Sequence, residues 1–337
     1  MKVYEVQQGS TSLEGLRRGE RADPQPGPRE VLMRVRATSL NYRDYMVTVG
    51  RYAGGAVSRN TIPLSDGAGE VVATGPGVTR FKTGDRVAGT FFQTWFDGPP
   101  RLPRAPALGS PLDGMLAEFA VLHEEGVVTI PQNLSFAEAA TLPCAGVTAW
   151  NALMVVPPGV KPGDTVLCLG TGGVSVLAMQ FAQAAGARVI VTSSSDQKLQ
   201  RVGKLGAFAG INYQSHPNWE REVLRLTGGR GVNHVIEIGG LGTLSRSFEA
   251  IAPGGKVALI GFLAGGGEIV PFPLMMKGGA LQGIGVGSTV MFEDLNRAIE
   301  ANRIQPVIDR VFPFEEAPAA LRQLASGDFV GKIVITV

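Results

Sequence analysis

Cysteine and histidine are scarce in this chain. Its 337 residues include two cysteines, Cys144 and Cys168, and three histidines, His123, His216 and His234. No CxxC, HxxxH or HExxH spacing links them, which excludes a structural zinc site of the finger type. Two cysteines also cannot staple a secreted disulfide domain. Charge is sparse as well: charged residues form 18% of the chain, against roughly 25% in an average domain. Lys plus Arg number 31 and Asp plus Glu 29, so the net charge of +2 is no footprint for nucleic acid or an anionic membrane. Long apolar runs are missing too. The segment Met1–Ser10 has no signal-peptide core. The most apolar stretch, residues 256–276, is broken by Gly265, Gly266, Gly267, Glu268, Pro271 and Pro273, so it cannot cross a bilayer as a helix. The expectation is a soluble, cytoplasmic protein that engages neither nucleic acid nor membrane.

What the chain does have is apolar mass and glycine. Hydrophobic residues make up 44%, which is enough for a large core and excludes wholesale disorder. At roughly 150 residues per domain, the length suggests about two domains. The 46 glycines are about twice the usual share of roughly 7%. They follow no three-residue period, so they mark turns and close backbone approaches.

The first third is rich in Pro and Gly with short alternating runs. Over Glu30–Arg36, Val31, Met33 and Val35 share one face while Arg34 and Arg36 take the other, the period of a half-buried strand. Similar runs at 69–74 and 85–90 indicate a compact, mostly β domain. The rhythm changes at Ser135, which with Glu138 forms a capping-box pattern ahead of an Ala-rich helical stretch. From there strands are expected at 165–169, 188–192, near Ile211, at 234–238 and at 256–260. Helices fall between them, at 173–185, 196–205 and 218–226. Buried strands alternating with helices imply a doubly wound parallel sheet. Phe292, Leu295, Ile299 and Ile304 suggest a last helix, and 331–337 a terminal strand able to return to the first domain's sheet.

Gly170-Thr-Gly172-Gly173-Val174-Ser175 lies after a buried strand and opens a helix. Gly170 permits the tight turn, and Gly172 lets the backbone approach a pyrophosphate at the helix N-terminus. The third position of the GxGxxG pattern is Ser175, acceptable where helix and strand pack slightly less closely. About 20 residues on, where an NAD-preferring site carries an acid, stand Ser193, Ser194 and Ser195, then Asp196 and Lys198. Serine leaves room for a 2′-phosphate and donates hydrogen bonds to it, and Lys198 adds charge. The competing role of the serines is to cap the next helix. The reading favours NADP(H).

These features resemble the medium-chain dehydrogenase/reductase superfamily, in particular its zinc-independent, quinone-oxidoreductase-like branch. The resemblance covers almost the whole chain. It rests on Ser39-Leu-Asn41-Tyr-Arg-Asp44, Pro63-Leu-Ser-Asp66-Gly-Ala-Gly69-Glu70-Val71, Gly84-Asp-Arg-Val87, Ala139-Ala-Thr-Leu-Pro143 with Thr148-Ala149, the loop 170–175, and Ile211-Asn212-Tyr213. It implies an α/β chain: a GroES-like partial β-barrel catalytic domain over 1–125 and 287–337, and a Rossmann domain over 126–286. Zinc-dependent relatives hold their catalytic metal with a Cys, a His and a second Cys. The corresponding positions here are Asn41, Ser65 and Cys144, and the cysteine-rich structural lobe is replaced by a segment with Phe91, Phe92, Trp95 and Phe96. The resemblance therefore implies NADP(H) as cofactor and no zinc. It assigns Tyr213 and Lys198 to the 2′-phosphate, adds Thr148 to the cofactor residues, and places the nicotinamide near Gly239, Gly261, Phe262 and Leu263. Ordinary β–α turn chemistry competes for the glycines.

Without a Lewis acid, hydride addition to a conjugated acceptor asks less of the protein than reduction of a simple ketone, because hydrogen bonds alone can stabilise the enolate oxygen. The expected activity is NADPH-dependent reduction of a small apolar quinone or α,β-unsaturated carbonyl compound. A zinc-independent alcohol or carbonyl dehydrogenase is one alternative, and an NADPH-binding sensor or scaffold without turnover another. Asn41 is the candidate carbonyl donor, with loop fixation as its competing role. Tyr45 and Tyr52 are candidate proton donors or packing residues, and Asp66 either contacts substrate or holds Arg43. The aromatic segment walls a substrate pocket, or forms a loop core or dimer contact. A homodimer through the strand 281–286 at the Rossmann sheet edge is the expected assembly.

Overall fold

A computed structural model describes residues 1–52, 54–103 and 105–337. The chain divides into two compact units, the first made of Met1–Val147 and Gly287–Val337, the second of Thr148–Val286.

The organising strand of the first unit is Glu30–Ser39. Val31, Met33 and Val35 are buried and Arg34 and Arg36 exposed, as the alternation requires. Its first half pairs antiparallel with Phe119–His123. Asp66–Thr74 runs antiparallel along most of its length, and its end pairs antiparallel with Lys332–Thr336. The sheet continues through Arg86–Gly89 to Val127–Thr129 on one side and to Ile308–Pro313 on the other. The terminal strand thus returns to the first sheet, with Val334 opposite Ser39. Two cores form around this sheet, one around Met33, Val71, Val87 and Met115, the other around Val3, Leu40, Leu321 and Ile335.

Residues 126–147 were expected in the nucleotide-binding domain, but they pack in the first unit. Val127–Thr129 extends the antiparallel sheet, and Ser39 Oγ donates to the Ala140 carbonyl at 2.8 Å. The capping box at Ser135 forms, its N–H donating to Glu138 Oε2 at 2.7 Å. The helix it opens is only Phe136–Ala139, followed by wider helical turns over Leu142–Gly146 and Asn151–Val155. Pro143 has no N–H to give and interrupts the regular ladder.

The second unit is a six-stranded, all-parallel sheet in the order Ala209–Asn212, Arg188–Ser193, Thr165–Cys168, Val232–Glu237, Ile251–Leu259, Ala280–Gly283. Numbered within the unit this is 3-2-1-4-5-6, the doubly wound order whose switch point lies between the first and fourth strands. Helices Gly173–Ala184, Asp196–Lys204 and Trp219–Leu226 fall where the apolar periodicity placed them. Among the described residues no helix is long and apolar enough to cross a membrane.

Candidate functional site

In the first unit, the end of strand Glu30–Ser39 leads into helix Tyr42–Thr48 with Asn41 at its N-cap. The Asn41 backbone N–H donates to Asp44 Oδ2 at 2.8 Å. Lys332, on the returning terminal strand, is buried beside it. Its Nζ donates to the Asn41 Oδ1 at 2.6 Å and to the Leu40 carbonyl at 2.7 Å, and lies 3.6 Å from Asp66 Oδ2. Asn41 Nδ2 faces Ser65 Oγ at 3.4 Å, and Ser65 in turn donates to Asp66 Oδ1 at 2.8 Å. Asp66 is fully buried, and Ser39 Oγ, whose hydrogen goes to the Ala140 carbonyl, lies 3.3 Å from its Oδ2. It holds Lys332 rather than Arg43, so it bears on the site through its neighbours. Arg43 instead donates to the carbonyls of Leu108 and Ser110 and lies 3.5 Å from Asp44 Oδ1.

The donor set at the three positions expected from zinc-dependent relatives does not fit that metal. It comprises a neutral amide, a hydroxyl and a thiol. Burial first, and the Asp66 carboxylate second, push the Cys144 thiol above its usual range, and one thiol beside a neutral amide and a hydroxyl falls short of the three ligands a catalytic zinc takes. The Lys332 ammonium already sits on the amide oxygen, and a dication there would face that charge. Among the described residues no group of three His, Cys, Asp or Glu side chains is gathered as a ligand set.

The two tyrosines part company. Tyr45 packs against the barrel core and against Tyr42. Tyr52 is exposed, with the Arg43 guanidinium 5.1 Å from its ring centre. The aromatic segment gathers: Phe91 and Phe92 are buried edge to face at 4.6 Å, and Trp95 stands 5.9 Å from Phe92. Phe92, Trp95 and Phe96 line a cleft of about 450 Å³ together with Pro99, Pro100 and Arg101.

In the second unit, Gly170 turns with φ of +75°, where a side chain would be strained. Gly172 caps the helix that Gly173 and Val174 begin. Ser175 at the third position is buried, and its hydroxyl donates to the Leu169 carbonyl at 2.5 Å. A glycine there would only allow close packing, whereas serine ties helix to strand. Thr148 is buried at the start of this unit.

At the end of the next strand, Ser193 Oγ accepts the Ser195 N–H, and Ser195 caps the helix containing Lys198. Tyr213 donates its backbone N–H to the Ser193 carbonyl at 3.0 Å, so these two predicted residues adjoin. Asp196 is engaged by Asn212 Nδ2 at 2.8 Å.

Gly239 has both backbone groups taken: its N–H donates to Glu237 Oε1, and its carbonyl accepts from Ala264. A Cβ there would lie 2.3 Å from Thr243 Oγ1, so the position needs glycine for packing alone. Gly261 is similarly confined, a Cβ falling 2.7 Å from the Ile238 carbonyl. Phe262 and Leu263 are exposed.

Two groups escaped the sequence reading. Glu237, fully buried, accepts from Gly239, Gly240, Thr243 and Ser247 and so shapes the loop after its strand. Lys332 is the other. The signals were a carboxylate inside the strand run His234–Ile238 and a lysine at the head of the apolar run Ile333–Val337.

Residues 27–132 match the alcohol dehydrogenase GroES-like domain and residues 173–301 the zinc-binding dehydrogenase family. A zinc-type alcohol dehydrogenase-like protein of Schizosaccharomyces pombe is 43% identical, over 99% of both chains. A quinone oxidoreductase of Pseudomonas aeruginosa is 33% identical over 92% of each. Among solved structures, one described as an NAD-dependent alcohol dehydrogenase superposes with a TM-score of 0.91 at 34% identity, covering 100% of both chains. The 2-octenoyl-CoA carboxylase reductase CinF, in complex with NADP and 2-octenoyl-CoA, gives a TM-score of 0.88 at 26% identity, over 99% of this chain and 87% of that one.

Proposed function

This chain belongs to the medium-chain dehydrogenase/reductase superfamily, and from that premise we propose that it is an NADPH-dependent reductase of quinones or α,β-unsaturated carbonyl compounds that works without zinc. The observation that carries this reading is the donor set at Asn41, Ser65 and Cys144, which offers hydrogen bonds where zinc-dependent relatives offer a Lewis acid.

The residues present suit the dinucleotide. Gly170, Gly172, Gly173 and Val174 would hold its pyrophosphate at a helix N-terminus. Ser193, Ser194, Lys198 and Tyr213 would hold the 2′-phosphate, and Asp196, the acid that follows the serines in sequence, is occupied with Asn212. A dinucleotide held there would supply the hydride for conjugate reduction. The Asn41 amide donates to the acceptor's oxygen and stabilises the negative charge that grows there. Tyr52, the exposed one of the pair Tyr45 and Tyr52, supplies the proton that completes the product. The cleft at Phe92, Trp95 and Phe96 suits an apolar acceptor. The relative in complex with NADP and 2-octenoyl-CoA, an α,β-unsaturated thioester, supports conjugate reduction. Likeness to an NAD-dependent alcohol dehydrogenase favours alcohol oxidation as the second reading.

The test is loss of NADPH absorbance with quinones, enones, aldehydes and ketones, repeated with NADH and after EDTA treatment. Turnover of conjugated acceptors, unaffected by EDTA and faster with NADPH, is expected. Activity confined to simple alcohols and carbonyls would install the second reading. Ser193→Asp, which sets a carboxylate against the 2′-phosphate, should move the NADPH/NADH specificity ratio down by about tenfold or more, some 1.4 kcal/mol. An unchanged ratio would remove Ser193 from the cofactor site.

A further inference from the structure

We propose that Lys332 is the positioning residue of this site: its buried ammonium fixes which end of the Asn41 amide serves as donor and strengthens that donor. The inference rests on the reading of Asn41 as the group that meets the acceptor's oxygen.

An ammonium has three donors and no acceptor. The Asn41 atom that meets Lys332 Nζ at 2.6 Å must therefore be the oxygen, and the amide nitrogen must point the other way. The neighbour on that far side agrees. Ser65 spends its hydrogen on Asp66 Oδ1, so its oxygen can only accept from Asn41 Nδ2. Both ends of the amide are thus specified by partners that allow no flip.

A charge-assisted bond to the carbonyl draws electron density from the amide nitrogen and makes its N–H groups better donors. The same positive charge, one amide group away, favours an oxyanion there. This is the electrostatic part of what a metal does, supplied by a lysine.

The bland alternative is that Lys332 merely neutralises Asp66. The distances argue otherwise. Nζ lies 3.6 Å from Asp66 Oδ2, while its short bonds go to Asn41 and to the Leu40 carbonyl. The placement also depends on the fold, because Lys332 reaches Asn41 only where the terminal strand closes against Glu30–Ser39.

The experiment compares wild type, K332M, K332R, N41A and N41A/K332M with NADPH and either methyl vinyl ketone or naphthoquinone. K332M is expected to lower kcat on the order of tenfold to a hundredfold, the usual effect of losing a group that orients a reacting one. KM and NADPH affinity should stay within about twofold. K332R, which keeps a charged donor, should recover part of the loss. The double variant should be no slower than N41A, because Lys332 acts through Asn41. Wild-type kcat in K332M would overturn the proposal, as would a double variant that multiplies the two defects. If K332M fails to fold because Asp66 is left unpaired, D66N/K332M removes both charges and takes its place under the same criteria.

A second readout needs no substrate. With side-chain nitrogen labelling of asparagine, the Asn41 NH2 resonances, identified by their loss in N41A, should move upfield in the lysine-free variant. Unmoved resonances would overturn the role of Lys332. Failure of the wild type to reduce either acceptor would overturn the proposed reaction alone, and this spectroscopic arm would still decide the lysine.

Discussion

Asp44 is enclosed between Arg43, Asp66 and the start of its own helix, and its Oδ2 accepts the Asn41 backbone N–H. Burial pushes its carboxyl up to about 6, with Arg43 pulling the other way and Asp66 adding to the rise. A group whose pKa is higher folded than unfolded gives stability that is complete below its unfolded value, near 3.8, and lost as pH rises through the folded one. Asp44 therefore makes the fold lose on the order of 3 kcal/mol between about pH 4 and 6. Asp44→Asn keeps an oxygen for the Asn41 N–H and removes the titration. Denaturant unfolding across that range should show a flatter pH dependence in the variant than in wild type. Equal slopes would mean that Asp44 ionises normally. The same cluster contains Arg43 Nε and Asp44 Oδ1, both buried without hydrogen-bond partners. Such unpaired groups are costly and tend to gather where function sets the arrangement.

At the scale of elements, the joint after strand Val232–Glu237 depends on one carboxylate. Glu237 accepts from two backbone N–H groups and two hydroxyls, so four donors converge on two oxygens. Glu237→Gln would turn an NH2 toward at least one of them. The expected cost is about 2 kcal/mol from the donor left unpaired, read as a lower melting temperature. A severalfold loss of NADPH affinity should accompany it, because the loop lies at the carboxyl edge of the sheet where ligands bind. Unchanged stability would show that the loop can re-form its bonds with water. This joint also marks where sequence reasoning stops. The second unit's strands and helices were legible because apolar period and Gly punctuation are local signals. Glu237 was not, since its role arises only when Gly239, Gly240, Thr243 and Ser247 fold back over it. The domain boundary slipped for a related reason. Ser135 and Glu138 announce a helix correctly, but nothing local says that Val127–Thr129 pairs with Arg86–Gly89.

At the scale of the whole molecule, the first unit is assembled from both ends of the chain, with the second unit inserted between. Asn41 and Lys332 are 291 positions apart and meet only because the terminal strand returns, so no window of sequence holds both. The second unit's outer strand raises the question of assembly. Ala280–Gly283 ends the six-stranded sheet, and all four of its residues are exposed. Leu281 is exposed in that strand, and Phe272, Met275 and Met276 are exposed just before it. An exposed edge with apolar neighbours and no charge of its own invites pairing. The expected partner is a second copy of this chain, with edge meeting edge. Light scattering should then give twice the mass of one chain for the wild type. Leu281→Lys, which places a charge on the edge, should shift it toward monomer while NADPH binding is retained, since the nucleotide loop lies on other strands. A wild type that stays monomeric would leave this edge without its expected partner. A dimer indifferent to Leu281→Lys would move the interface to another face.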